Sequence, residues 1–372
     1  MLAPRRRWLL PAFLLLAALV APAPVLGAGP APAGVSQQIA AGNYLKLSMA
    51  VDSAGAVHIA ATQLTASASR LVYLTDRTGS WTLRVVSRLD AAATDGAMWQ
   101  DPSLALDEND RVSIAAARIS GATGCICSDG IFSWSDLGRT RGTFPATPTR
   151  LTVRGARAPQ LKTLGGHTYL AFMKGWEHYA DAGNHGEVWY KTDASGSWTT
   201  VRIAHGQEVQ PPIPSLRLTD SGRARIAWPN DGIRLAFAST ITGGFTVGRI
   251  PNTTKVDRDP QVVLSSEGLM QVAFRRGNVG TMLFQTAPDG ASTHKVSGHL
   301  GTLAITIDAS DIPHVAIGSG SGGVWVVTPE PSSRLISSGA AWDVAVRAPT
   351  VGGLVVAWTG KGADRGVWFT HL

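Results

Sequence analysis

Apolar and polar residues alternate in short runs along almost the whole chain, and the runs are broken by clusters of Gly, Asp, Asn, Ser and Pro. The clearest unit is Pro214–Ile250. Its pattern predicts four strands, at Ser215–Leu218, Arg225–Trp228, Ile233–Ala238 and Phe245–Ile250. Turns fall at Asp220-Ser221-Gly222, Pro229-Asn230-Asp231-Gly232 and Thr242-Gly243-Gly244. Period-two alternation bounded by turn residues marks strands joined as hairpins. One sheet of this size buries too little apolar surface to stand alone, so copies of it are expected alongside.

The copies are present. The first strand and its turn recur as LKLSMAVDSAG from Leu45, PSLALDEND from Pro102, PQLKTLGG from Pro159, PSLRLTDSG from Pro214, PQVVLSSEG from Pro260, LAITIDASD from Leu303 and WDVAVRAPTVGG from Trp342. Apolar second strands (VHIAA, VSIAAA, TYLAF, RIAW, QVAF, HVAIG, LVVAW) and third strands follow each of them. Four-stranded units repeated in this way predict an all-β fold, a seven-bladed β-propeller. The blades are placed at about 44–90, 101–154, 158–204, 214–250, 259–297, 301–338 and 341–372. The seventh unit ends after its third strand, and Val35–Ala40 has no other assignment, so the N-terminal strand is expected to complete the last blade and close the ring. Residues 28–372 thus form one predicted domain.

Before it, residues 1–27 have the form of a secretory signal peptide: Arg5-Arg6-Arg7, an apolar run Trp8–Val20, then APAPVLG. A secreted location, extracellular or periplasmic, in a bacterial setting is therefore expected. No other stretch approaches the ~20 apolar residues of a spanning helix, so no membrane insertion is expected after signal cleavage. The formal charge of +7 falls to about +4 without the three signal arginines. Charged residues make up only 16% of the chain and its Lys and Arg are scattered, which argues against a nucleic-acid partner. The two cysteines, Cys125 and Cys127, suit a strained local disulfide or free thiols in a structural role. No cofactor is implied, and the His178, His185 and Asp181 spacing is not a standard zinc pattern.

At the turn after the third strand, blade one has Asp76, Gly79 and Trp81, blade three Asp193, Gly196 and Trp198, and blade two Asp136, Gly138 and Thr140. This pattern resembles a degenerate Asp box, Ser-x-Asp-x-Gly-x-Thr-Trp, of the sialidase-like propellers (BNR or Asp-box-like repeats). Its Asp accepts hydrogen bonds from the turn backbone, its Gly supplies positive φ and its Trp covers the turn. The resemblance implies architecture and leaves chemistry open. Sialidases carry an arginine triad, a Tyr–Glu pair and an Asp acid/base, with the first arginine in a Phe-Arg-Ile-Pro motif at the first blade. Blade one here begins Asn43-Tyr44-Leu45-Lys46-Leu47, without arginine, and Arg249-Ile250-Pro251 closes blade four instead. Arg275 is the candidate for one guanidinium. Asp52, Asp107, Asp220 and Asp308 are expected to share one structural turn position.

Function is expected where a blade exceeds its template, on loops carried by a rigid scaffold. The longest such loop, 174–187 in blade three, holds Trp176, Glu177, His178, Tyr179 and His185. The connections between blades add Trp99, Glu208 and Asp259. Aromatics beside carboxylates and amides suit a sugar ring, whose apolar face stacks and whose hydroxyls need partners. The reading is a propeller that binds a carbohydrate or other surface polymer on one face without catalysis. The alternatives are an exo-acting glycoside hydrolase of sialidase type and a protein–protein interaction scaffold.

Overall fold

The structure is a computed structural model that describes residues 34–94, 96–120, 128–175, 186–205, 213–230, 234–241, 244–287, 290–329, 332–349 and 353–372. Seven antiparallel sheets of four strands each form a ring, as the repeats predict. The innermost strands, one per blade in chain order, are Asn43–Val51, Met98–Leu106, Ala156–Leu164, Ser215–Leu218, Asp257–Leu264, Thr302–Ile307 and Ala341–Arg347. The template unit holds, with its second and third strands extended to Ala224–Asn230 and Arg234–Ile241. Its first strand is only Ser215–Leu218, the shortest of the inner strands.

The core is divided among the seams between blades. Each seam packs the apolar face of one sheet onto the next, and each holds its own cluster of buried residues. The seam between blades one and two buries Tyr73, Leu104, Trp99 and Trp134, and the two indoles meet edge to face with centroids 5.0 Å apart. Such stacking explains why no blade can be stable alone.

An innermost strand has a free edge, whose N–H groups need partners from outside the sheet. A serine of the preceding blade supplies one at three seams. Ser48 Oγ accepts from Leu104 N at 3.0 Å, Ser103 Oγ from Leu161 N at 2.8 Å, and Ser215 Oγ from Val262 N at 3.0 Å. At the closing seam the same task falls to a carboxylate: Asp343 Oδ2 accepts from Leu47 N at 3.1 Å.

Closure follows the expected route. Gln37–Ala41 lies antiparallel to Gly366–His371 as the outermost strand of blade seven, pairing Gln37 with Phe369 and Ala41 with Gly366. Gly34 N also donates to His371 O at 2.6 Å, so pairing begins before the strand proper. Ile39 and Ala40 then pack on the cluster shared by blades one and seven.

The turn acids are structural with one correction. Asp52, Asp107 and Asp308 each accept two backbone N–H bonds through Oδ1, from the residues two and four positions on. In blade four the turn acceptor is Thr219, whose Oγ1 receives Arg223 N at 3.1 Å, while Asp220 sits one place later and is exposed. The hairpin begins one residue earlier than the Asp-Ser-Gly spelling suggests, and a hydroxyl does the carboxylate's work. The box-like acids clamp the second strand of their own blade: Asp76, Asp136 and Asp193 accept from Val57, Val112 and Thr168 N at 2.7, 2.9 and 2.7 Å. Trp81 packs edge to face on Phe369 of blade seven, whereas Trp198 stays exposed beneath the Lys191 ammonium. The aromatic of the motif therefore covers a seam in one blade and only a lysine of its own blade in the other. Cys125 and Cys127 lie outside the described residues.

Candidate functional site

The inner strands all run the same way along the ring axis, so residues early in them meet at one end of the central channel and residues late in them at the other. A cavity of about 190 Å³ runs between the inner strands. Charged side chains interrupt the apolar alternation of these strands at both of its ends.

The early end is acidic. In blades two, three and five the residue before proline has positive φ: Asp101 at 50°, Ala158 at 48° and Asp259 at 53°. Each sits in a bulge where the ladder to the second strand skips two residues. A left-handed residue preceding proline is doubly disfavoured, and Asp tolerates it better than most side chains. The kink breaks the pleat and re-aims the side chain away from the sheet face.

Lys46 of blade one stands among these groups, its ammonium 3.8 Å from Asp343 and drawn also to Asp101 and Asp259. Asp343 above all holds the lysine's proton affinity up, against the cost of burial. The carboxylates behave differently. Burial pushes Asp101 up, opposed by Lys46 and Arg157, and burial likewise pushes Asp343 up, opposed by Lys46 and by the Leu47 amide. The asymmetry of the pair follows exposure: the Lys46 side chain is 44% accessible and that of Asp343 only 14%, so the carboxylate bears the desolvation. Asp259 is paired with Arg275 at 3.0 Å.

The late end is basic. Lys162, Arg217 and Arg347 line the same cavity from blades three, four and seven. Among the described residues none of the three has an ion-pair partner, and Arg347 donates only to its own chain, to Val346 O at 2.7 Å.

Of the residues singled out from sequence, Asp259 and Arg275 are brought together at the acidic end as an ion pair. Trp99 offers no surface for a ligand. It is 3% exposed, wedged against Trp134 and Phe132 in the seam between blades one and two. Its place in the inner strand turns it to that seam. Trp176, Glu177, His178, Tyr179, His185 and Glu208 lie outside the described residues. The loop that carries most of them leaves from Lys174 and returns at Glu187, which pair with each other, while Lys174 pairs with Ala156 at the start of the inner strand. Lys174 and Glu187 therefore stand on the acidic side of the ring. Glu187 is fixed there by Trp189 Nε1 at 2.8 Å and Arg202 at 3.1 Å, and these bonds hold its carboxyl below its ordinary value despite burial. Sequence reasoning missed Lys46, Asp343, Lys162, Arg217 and Arg347. The available signal was a charge at a strand position where sister blades carry apolar or small residues.

Among the described residues no group of three or more His, Cys, Asp or Glu side chains is placed to hold a metal ion, and no helix is long and apolar enough to cross a membrane.

No model of a protein family matches the chain, and no curated protein matches it in sequence. Solved structures match in fold at 11 to 12% identity. A protein of unknown function from Dyadobacter fermentans superposes with a TM-score of 0.54, over 90% of this chain and 98% of that one. The Aleuria aurantia lectin, in complex with Fucα1-6GlcNAc, gives 0.52 over 86% and 97%. The NanB sialidase of Streptococcus pneumoniae gives 0.50 over 92% and 71%. These likenesses bear on the fold alone, a β-propeller, here of seven four-stranded blades.

Proposed function

We propose that the protein is exported and binds a glycan at the acidic mouth of its channel, without turning it over. The observation that carries this reading is the set of carboxylates Asp101, Asp259 and Asp343 gathered around Lys46. Ionised carboxylates accept hydrogen bonds from sugar hydroxyls, while Lys46 and the bulged backbone offer donors. With Lys46, Arg157 and Arg275 beside its three carboxylates the mouth carries little net charge, so the ligand class is a neutral glycan. Of the guanidiniums near this end, Arg275 is already committed to Asp259 and Arg118 to Asp129 at 3.2 Å. Lys174 and Glu187, the described residues that flank the aromatic segment 176–185, stand on the same side, and we assign the stacking face to Trp176 or Tyr179 of that segment. That a lectin carrying a fucosylated disaccharide and a sialidase share the fold supports a carbohydrate ligand.

One observation favours a second reading, an exo-acting glycoside hydrolase of sialidase type. Asp101 and Asp343 both bind protons more readily than ordinary carboxyls, as a general acid must.

A glycan array of the secreted chain, followed by calorimetry on the best ligand, tests the proposal. Neutral glycans should dominate. Asp101→Asn and Asp259→Asn keep the left-handed backbone accessible and should each weaken binding about tenfold, the worth of one charged hydrogen bond. Trp176→Ala should weaken it by ~1 to 3 kcal/mol, the cost of an aromatic anchor. Wild-type affinity in all three variants would sink the reading. Release of an aglycone from aryl glycosides that is lost in Asp101→Asn would instead establish the hydrolase.

A further inference from the structure

The opposite end of the channel has different chemistry and stands apart from the glycan reading. Lys162, Arg217 and Arg347 are distant in sequence and lie on three blades, yet each reaches the same cavity. Late in the strand they are far from the acids: Asp343 and Arg347 share one inner strand, four residues or ~13 Å apart. The channel therefore gathers carboxylates matched by cations at one end and, among the described residues, cations without ion-pair partners at the other.

Long cationic side chains at a propeller surface normally extend into water, where repulsion between them is screened. These three instead line the channel wall, close enough to oppose one another's charge. Burial, with help from Arg217 and Arg347, drives Lys162 well below the usual lysine value. Burial lowers Arg217 to about 10, and burial together with Arg217 lowers Arg347 to about 9. Below them a vestibule of about 300 Å³ is bordered by Lys162, Thr163 and Arg347. The one described carboxylate on its border, Asp52, is consumed in its own hairpin, where it holds His58 Nε2 at 3.2 Å and the amides of Ala54 and Ala56.

Three half-buried cationic groups with no described counter-charge oppose one another's charging in an empty channel and are favoured when an anion shares them. Two guanidinium forks and one ammonium, arranged around a space that admits a few heavy atoms, match a tetrahedral oxyanion bearing more than one charge. We propose that the basic end of the channel is a binding site for a small multivalent oxyanion of the phosphate or sulfate class, held by Lys162, Arg217 and Arg347 and entering from the end away from the glycan mouth. The bound anion restores the lysine's affinity for its proton, so binding draws a proton onto Lys162 from a state in which Arg217, Arg347 and burial disfavour it.

The experiment is calorimetric titration of the secreted chain with inorganic phosphate, pyrophosphate and sulfate. One anion per chain is expected at millimolar or lower concentration. Arg217→Gln and Arg347→Gln should each weaken it about tenfold or more, as loss of a charged hydrogen-bonded partner does. Arg154→Gln, which removes an exposed cation outside the channel, should leave affinity unchanged. Titration in two buffers of different protonation heat should give different binding heats for wild type and equal heats for Lys162→Met. Relief of repulsion should raise the melting temperature of ligand-free Arg347→Gln. Should either glutamine variant fail to fold, Arg347→Lys keeps the charge, loses the fork and should bind with intermediate affinity. Absence of binding by wild type at millimolar anion, or wild-type affinity in the charge-removing variants, overturns the proposal. Neither result bears on glycan binding at the other end.

Discussion

Removing the Ser103 hydroxyl tests the view that side chains stitch the free inner edges of the blades. Ser103 Oγ is the acceptor for Leu161 N across the seam between blades two and three, and both residues are buried. Ser103→Ala deletes one oxygen and leaves a buried amide without a partner, which costs about 1 to 3 kcal/mol. With ~2.1 cal/mol/K of unfolding entropy per residue over ~340 residues, a loss of ~2 kcal/mol lowers the melting temperature by ~3 °C. Ser215→Ala exposes Val262 N to the same fate and should behave alike. Ser48 is only half-buried, so water can replace it and Ser48→Ala should cost less. Differential scanning calorimetry measures the shifts, and hydrogen exchange should quicken at Leu161 N in the Ser103 variant. Wild-type melting of both Ser103→Ala and Ser215→Ala would refute the stitching argument, since it would mean these amides find partners elsewhere.

Closure and titration give two further tests. Deleting 34–41 removes the outer strand of blade seven and uncovers Gly366–His371, so it should cost several kcal/mol, read as a lowered melting temperature, and an unshifted melt would contradict the closed ring. Burial raises the proton affinity of Asp101 and Asp343 in the fold above that of the unfolded chain. The folded state then binds more protons between the ordinary carboxyl value and the raised one, and stability falls as pH rises through that window. Asp101→Asn mimics the protonated form, so it should melt above wild type at neutral pH, with the gap closing in acid, and a gap independent of pH would contradict this assignment.

The architecture was legible because it is written locally and seven times over. Alternation, turn residues and the missing last strand are properties of short segments, and repetition cancels the ambiguity of any one of them. The same holds for Asp52, Asp107 and Asp308, whose bonds reach only two and four residues along the chain. Asp220 was misassigned because Thr219 can take the identical role, and hydroxyl and carboxylate differ little to a turn amide. Trp99 was misread for another reason: a residue at the entry of an inner strand can face a seam or the channel, and only the packing of the adjacent blade selects between them.

The sequence by itself therefore determined the blade, the number of blades and the means of closing them, because each is settled by period-two patterning and short-range turns. The tertiary structure decided which charges meet. Lys46 and Asp343 lie at opposite ends of the chain and are neighbours only because the ring closes between them. Lys162, Arg217 and Arg347 look like three isolated breaks in apolar strands until the ring turns them toward one cavity. Coulomb interactions depend on distance through space, and a propeller sets that distance by the angular position of each blade, which no local pattern encodes.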